Sequence, residues 1–507
     1  MSRLTSESNP ETGTISYGYD ASGHTGDLTS RVAPAPNQTG STTVTTTYSW
    51  DLLHRLTQKS YSDGTTPTAT YSYDSASVDG LTIGNPVGRL IKAATAGANP
   101  ASSYNSYDAM GRIKDQWQCT PINCGVGTWD LNYVYDLAGN TTRYTAGVFP
   151  AYSQAFDTAG RLTSLTSSYV DSQHPATLAT VDSALGYYPH GAMRKMTTGN
   201  SLTQTAAFNN ALQPCRINVN SSGTALGACA DSIPSGNVQD FNYGFNSGSA
   251  DNGNVASWTA TGQQAFNRSL TYDSLNRLSA LNTQNQLVDP VNNLYKYDAA
   301  GDMINDGNHT YFYDAENRLV QVDGTFGTCP ATACYVYDAL GRRVQKTKPG
   351  SNPTNYLYDL NGNPVSEVAI APGTWNPSNP SIGWHASYIY AGSQLLARYG
   401  GSTTFFAHPD HLGSARLLTG IEQSQISNGG FEQGLQGWTT WDNTVQVVTD
   451  SAGAHSGSNY VRISTTTGAG FGITTPYISV SPGQVITFAF DMTLLLVPQN
   501  HIHFPAD

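Results

Sequence analysis

One unit recurs from the N-terminus to Gly420 and limits what the chain can fold into. It is an aromatic residue, then Asp, two variable residues, Gly, Arg and an aliphatic residue. Tyr107-Asp108-Ala109-Met110-Gly111-Arg112-Ile113 and Phe156-Asp157-Thr158-Ala159-Gly160-Arg161-Leu162 carry it in full. Tyr337-Asp338-Ala339-Leu340-Gly341-Arg342-Arg343 is a third copy. Variants begin at Trp50 (Asp51), Tyr272 (Asp273) and Tyr313 (Asp314), and weaker copies begin at Tyr19, Tyr135, Tyr297 and Tyr358. Asn85-Pro86-Val87-Gly88-Arg89-Leu90 lacks the leading aromatic. Asp first and Gly three residues later is the preference of a type I turn. Such a turn followed by one left-handed residue joins the strands of a hairpin with a G1 bulge. Where Gly is missing, the position holds His54, Asn276 or Asn317, types that tolerate positive φ. The Asp is therefore read as structural, accepting the turn's own N–H groups. The spacing between copies varies: Asp136 to Asp157 is 21 residues, Asp298 to Asp314 is 16, and Asp74 to Asp108 is 34. A rigid solenoid needs a near-constant period, so a coiling sheet with hairpin arms of unequal length is expected.

Composition agrees with an all-β fold. The 507 residues are 38% hydrophobic and 10% aromatic, enough for a core, with 30 Tyr against 15 Phe. No excess of Ala, Glu, Lys, Leu and Arg points to helices. The net charge of −12 argues against nucleic acid, since a basic footprint is missing. No apolar run reaches the 18 residues of a spanning helix; the longest is Leu494–Val497. Met1–Pro10 is polar and has no signal-peptide character. The chain opens inside a repeat and stops at Asp507, which reads as a fragment of a longer exported protein, extracellular or at the cell surface.

Six cysteines fall into three short-range pairs, Cys119/Cys124, Cys215/Cys229 and Cys329/Cys334. Local disulfides are the first reading and imply an oxidising compartment. A Zn site from Cys119/Cys124 with Cys329/Cys334 is the rival, against which stand gaps wider than C-x₂-C and the lack of a nearby His. Six reduced thiols are the third reading.

The repeated units resemble the YD repeats of RHS proteins, bacterial relatives of the teneurin shell. The stretch 311–420 is similar to the RHS repeat-associated core that closes such arrays. Its most specific part is Ala407-His408-Pro409-Asp410-His411-Leu412-Gly413-Ser414-Ala415-Arg416-Leu417-Leu418, with His408, Asp410, His411 and Gly413 as the core-closing residues. The resemblance implies a spiralled β-hairpin YD-repeat shell over 1–310, closed by 311–420, that encloses or presents a variable C-terminal module. The family's Tyr-Asp-Pro-x-Gly segment and following Asp-Pro element do not come after Gly420, which counts against self-cleavage.

The units stop near Ser427. Asn428-Gly429-Gly430-Phe431-Glu432, followed by Gly437-Trp438-Thr439-Thr440-Trp441, resembles the opening of CenC-like carbohydrate-binding modules. A truncated, jelly-roll-like β-sandwich over 427–507 is expected. Trp441 is the candidate for stacking on a sugar ring, and Trp438, directly after Gly, reads as core. No cofactor is expected, apart from a Ca²⁺ ion that the resemblance would place at Glu432; a lone carboxylate is more often solvated surface.

Catalytic signatures are missing: there is no HExxH, Walker loop or G-x-S-x-G. His408, Asp410 and His411 are the one dense cluster of ligand-type side chains, and its place in a closing segment favours hydrogen bonding over metal. The Arg residues after the turns (Arg55, Arg89, Arg112, Arg161, Arg277, Arg318, Arg342) are expected to pack on neighbouring Tyr rings and pair with Asp on an adjacent hairpin. The expected function is a non-enzymatic structural shell of an exported bacterial protein. The alternatives are a surface adhesin that binds glycan through its C-terminal sandwich, and a polymorphic-toxin precursor without its effector. The expected partners are a glycan or cell-surface ligand and an enclosed effector.

Overall fold

The computed structural model describes residues 3–421, apart from 22–23, 148–149, 246–251, 264, 273–285, 287–293, 330, 380 and 401–402. Beyond 421 it describes only four short strands, Thr439–Thr440, Val445–Thr449, Asn459–Ile463 and Ile473–Thr474. Trp438, Trp441, Glu432, Asp273, Asn276 and Arg277 lie outside the described residues. The chain divides into two compact units, Met1–Ile421 and Glu422–Asp507.

Every described element is a strand, as a chain of turn-strand units with few long helix formers dictates. In the first unit a twenty-stranded sheet runs from Ser6–Asn9 to Phe266–Ser269. Each strand pairs antiparallel with its sequence neighbour. The one interruption is a small arm, Ser77–Val78 with Leu81–Thr82, between Ala69–Tyr73 and Leu90–Thr95. A ten-stranded sheet of the same kind runs from Tyr311–Tyr313 to Ala415–Gly420. Between the two sheets lies the short hairpin Lys296–Tyr297 with Met303–Asn305. In the second unit Thr439–Thr440 pairs with Ile473–Thr474, and Val445–Thr449 with Asn459–Ile463, both antiparallel.

The two large sheets share a core. Trp129, Tyr152, Leu165 and Leu178 from the first meet Leu357, Ile389, Tyr399 and Phe406 from the second, all buried. Trp129 and Trp375 pack edge to face at 5.9 Å. Polar bonds tie the same seam. Gln118 donates from Nε2 to the Tyr358 carbonyl (2.6 Å) and accepts the Tyr358 N–H (3.0 Å), completing a strand-like bridge through one side chain. Ser366 Oγ donates to the Ala146 carbonyl (2.7 Å), and Thr404 bonds the Gln173 carbonyl through both N–H and Oγ1 (3.1 and 2.8 Å). Such bonds cross a buried interface, so leaving one partner unpaired costs more than the bond itself contributes.

All six cysteines are disulfide-bonded within their local pairs, and the described residues hold no free cysteine. Cys119–Cys124 closes a loop in which Asn123 Oδ1 accepts the Thr120 N–H while Thr120 Oγ1 donates to Asn355 Oδ1 in the second sheet. The Zn reading therefore fails on pairing: each thiolate that a metal would need is spent on its near neighbour.

Two measurements check this architecture. Phe406, 0% exposed, fills the space between the sheets, so Phe406→Ala should cost about 3–5 kcal/mol in chemical denaturation; a loss under about 1 kcal/mol would deny the shared core. Peptide mapping without reduction should recover Cys119 with Cys124, Cys215 with Cys229 and Cys329 with Cys334. A linkage between distant loops would contradict the pairing.

Candidate functional site

The repeat builds the same lock along the sheet edge in copy after copy. In the turn at Asp108 the Gly111 N–H donates to the Asp108 carbonyl (3.0 Å), and the Asp108 N–H donates to the Arg112 carbonyl (2.9 Å). Gly111 sits at φ 84°, the left-handed residue of the bulge. Oδ1 of Asp108 accepts the N–H groups of Met110 and Arg112, both at 2.9 Å, and Oδ2 accepts Arg112 Nε at 2.7 Å. One carboxylate thus satisfies two turn amides and one guanidinium. Asp51, Asp157, Asp314 and Asp338 do the same, with Nε···Oδ2 distances of 2.7 to 2.8 Å. The left-handed residue is His54 at φ 59°, Gly160 at 73°, Asn317 at 58° and Gly341 at 81° in these copies.

The second half of the lock joins one hairpin to the next. Each Arg lies over the ring of the following repeat's Tyr: Arg55 over Tyr73 at 4.4 Å, Arg112 over Tyr135 at 4.6 Å, Arg161 over Tyr187 at 4.8 Å, Arg318 over Tyr337 at 4.9 Å. The same Tyr donates its hydroxyl to the carbonyl of the residue after that Arg. The distances are 2.9 Å to Leu56, 2.7 Å to Ile113, 2.7 Å to Leu162 and 2.8 Å to Leu319. Trp50 serves in place of a Tyr, its indole N–H donating to the Leu28 carbonyl at 2.8 Å. The Arg residues differ from expectation in their partner. Arg55, Arg112, Arg161, Arg318 and Arg342 pair with the Asp of their own turn, because the left-handed residue brings the i+4 side chain back over the carboxylate, and Arg89, whose turn opens with Asn85, donates to the Asn85 carbonyl. Among the described motif arginines, Arg55 also forms an ion pair with the next hairpin, at Asp74 (2.6 Å), and Arg112 Nη1 donates to the Asp136 carbonyl of the next hairpin (3.0 Å).

The carboxylates of Asp51, Asp108 and Asp157 are held below their usual range. For Asp51, Asp108 and Asp157 the leading cause is the backbone N–H of the Arg at i+4, joined by its guanidinium. The locking phenols of Tyr73, Tyr135 and Tyr187 are pushed up by burial, which keeps them as donors. The candidate turn residues lie each at its own tip and do not converge. Residues in the middle of the turns, such as Leu52, Met110 and Leu137, point outward and are exposed.

His408, Asp410 and His411 are not brought together either. His408 is buried, its Nε2 faces Thr419 Oγ1 at 2.8 Å and its Nδ1 faces Gln204 Oε1 at 3.4 Å. Burial pushes its imidazole down to about 4. Asp410 opens one more turn of the repeat type, with Gly413 N–H on its carbonyl (3.0 Å) and Arg416 Nε on Oδ2 (2.6 Å). His411 leaves that turn to pack at a tilt on the Tyr243 ring at 4.2 Å, its backbone N–H donating to the Tyr243 hydroxyl, beside Trp258 and Arg416. The segment thus seats the last hairpin of the second sheet on the first. Among the described residues no three His, Cys, Asp or Glu form a group that could hold a metal. A cavity of about 320 Å³ lies where Lys59 and Tyr61 meet Glu316 and Arg318. Lys59 and Tyr61 both donate to Glu316 Oε1 (3.0 and 2.6 Å), and Arg318 is bound to Asp314, so these groups satisfy one another.

A family model described as Teneurin YD-shell matches residues 235–423, and one described as Carbohydrate binding domain matches 423–496. Among curated proteins, none matches the chain. Three solved structures share the fold at 14% identity. They are TcdB2-TccC3 without its hypervariable C-terminal region (TM-score 0.52, 83% of this chain and 24% of that one), TcdB2-TccC3 (0.51, 82% and 24%) and TcdB2-TccC3-TEV (0.50, 81% and 23%). The chain spans about a quarter of the length of these structures. It is therefore similar to RHS/YD-repeat shell proteins in the first unit and to carbohydrate-binding modules in the second.

Depressed turn carboxyls set an acid limit. Their stabilisation is present above the unfolded value of 3.8 and is lost as pH falls through the lower folded values. The melting temperature should therefore drop steeply below pH 3.8, and less steeply in Asp157→Asn; parallel curves would show that Asp157 does not carry the effect. Gly160 has φ 73° and its nearest contact for an added Cβ is Asn140 at 3.7 Å. Gly160→Ala should thus cost only the left-handed strain, about 1–2 kcal/mol, and a neutral result would argue against the bulge.

Proposed function

We propose that residues 1–421 are a non-enzymatic structural shell of an exported protein, in which 1–310 form the wall and 311–420 close it, and that the segment after 421 is the module the shell presents. The observation that carries this reading is how the polar side chains are used. Asp, Arg and Tyr of the repeat are spent on turn amides, on each other and on backbone carbonyls, and the histidines of the closing motif on packing. Side chains committed in this way make a wall rather than a reaction centre. Three local disulfides support an oxidising, extracellular setting.

The match to a carbohydrate-binding model over 423–496 favours a glycan as the ligand of the presented module, with the repeats as its carrier. Enclosure of a C-terminal effector, as in a toxin-delivery protein, is the second reading; it draws on the TcdB2-TccC3 likeness. Glycan-array binding by the chain beside Trp441→Ala separates the two. Binding that falls at least about tenfold in Trp441→Ala, as loss of a stacking aromatic implies, supports glycan presentation. No binding by either, or binding indifferent to the substitution, removes the glycan role and leaves the shell.

A further inference from the structure

Four residues after the turn Asp stands Arg at Asp51, Asp108, Asp157, Asp314 and Asp338, and a donor Asn at Asp136 and Asp359; one repeat puts an acceptor there instead. In Tyr297-Asp298-Ala299-Ala300-Gly301-Asp302-Met303 the Arg position holds a second carboxylate, Asp302. The turn is otherwise standard. Gly301 N–H donates to the Asp298 carbonyl (3.2 Å), the Asp298 N–H donates to the Asp302 carbonyl (2.9 Å), and Asp298 Oδ1 accepts the N–H of Asp302 (2.9 Å). Tyr313 also keeps its role, its hydroxyl donating to the Met303 carbonyl at 2.7 Å. What is missing is the guanidinium between them, and Oδ2 of Asp302 is buried there with no hydrogen-bond partner.

This hairpin forms one of the junctions of the two large sheets. Asp298 Oδ2 accepts the Asn37 N–H (2.7 Å), and the Ala299 N–H donates to the Gln38 carbonyl (2.8 Å). Asn37 in turn clasps Tyr313 through both side-chain atoms, at 2.7 Å each. Gly301 is pressed against the N-terminal hairpin, where a Cβ would meet the Glu11 carbonyl at 2.3 Å. The titratable groups facing Asp302 are Asp298 on its own turn and Asp314 and the Tyr313 phenol on the next hairpin. The N-terminal hairpin meets this turn through the Glu11 backbone carbonyl, and the Asn37 loop meets it through the Asn37 N–H and the Gln38 carbonyl. None of these is a cation. Two ionised carboxylates side by side in a half-buried turn repel one another, and one of them keeps its proton.

We propose that the 297–303 hairpin is a proton-held clasp: Asp302 stays protonated while the hairpin is docked on the Asn37 loop and Tyr313, and losing that proton loosens the junction of the two sheets. Burial first, then the Asp298 and Asp314 carboxyls, push Asp302 up to about 7. The direction follows from linkage. The folded value lies above the unfolded 3.8, so the clasp's stability is fully present below that value and is lost as pH rises towards 7. The wall would be tightest in mild acid and would open first at this hairpin near neutrality.

The test compares wild type with Asp302→Asn, which keeps the shape without the charge, and Asp302→Arg, which restores the repeat. Between pH 5 and pH 8 the unfolding equilibrium constant of wild type should rise relative to Asp302→Asn by roughly tenfold or more. Amide exchange in 297–305, corrected for its intrinsic pH dependence, should accelerate over the same range in wild type alone. Asp302→Arg should be the most stable of the three at pH 8, its guanidinium pairing with Asp298 and lying over Tyr313. A wild-type to Asp302→Asn ratio constant within twofold, or exchange in 297–305 that speeds equally in both, would overturn the proposal. If Asp302→Asn does not fold, the same exchange comparison between wild type and Asp302→Arg decides it.

Discussion

The fold depends on a tyrosine hydroxyl meeting the backbone carbonyl of the preceding hairpin under an arginine. An antiparallel meander is held along its length by ladder bonds between neighbours, but its ends splay unless something fixes the turn region. The repeat supplies that fixture from three side chains. Asp organises its own turn, the turn aims Arg, and Arg with the next carbonyl receives Tyr. A hydrogen bond of this kind contributes about 0.5–1.5 kcal/mol and a guanidinium over a ring about 0.5–2 kcal/mol. Each lock is thus comparable to burying one large aliphatic side chain.

That equivalence explains where locks are needed. In the first hundred residues the buried apolar groups are few and hold no aromatic ring: Ile15, Ala33, Val44, Ala69, Ile83, Ile91 and Ala93 among the described residues. The lock at Tyr73, and its equivalent at Tyr107, whose hydroxyl donates to the Leu90 carbonyl (2.6 Å) with Arg89 over the ring (5.3 Å), supplement the core there. From Trp129 onward the two sheets share a continuous core, and the repeat can relax. Asn140 replaces Arg, donating to Asp136 Oδ2 at 2.8 Å, and Phe156 has no hydroxyl to donate. Both departures fall in a region where Tyr144 and Tyr152 are already buried.

The local half of this was legible in the sequence. Asp and Gly three apart specify the turn, and His54 and Asn317 in place of Gly mark the left-handed position. Positive φ at Leu212 (60°), in a turn opened by Asn209, was not legible, because that copy lacks Asp, Gly and Arg together. The partner of Arg was misjudged for a geometric reason: its own Asp is close only once the bulge has folded the chain back. Contacts between the sheets, such as Gln118 with Tyr358 or His408 with Gln204, leave no periodic trace, since a buried amide looks like a surface one in sequence. The cationless turn at Asp302 was visible as a departure from the repeat, but its meaning needed the burial of Oδ2.

The most direct test of the lock is a double-mutant cycle on Arg112 and Tyr135, using Arg112→Ala, Tyr135→Phe, Tyr135→Leu and the two doubles. Removing the hydroxyl in Tyr135→Phe takes away the bond to Ile113 and leaves the ring for Arg112, so it should cost about 1 kcal/mol with little coupling. Replacing the ring in Tyr135→Leu should couple to Arg112→Ala by about 0.5–2 kcal/mol. Additive losses in both cycles, within about 0.3 kcal/mol, would contradict the claim that the hairpins are joined through Arg and Tyr.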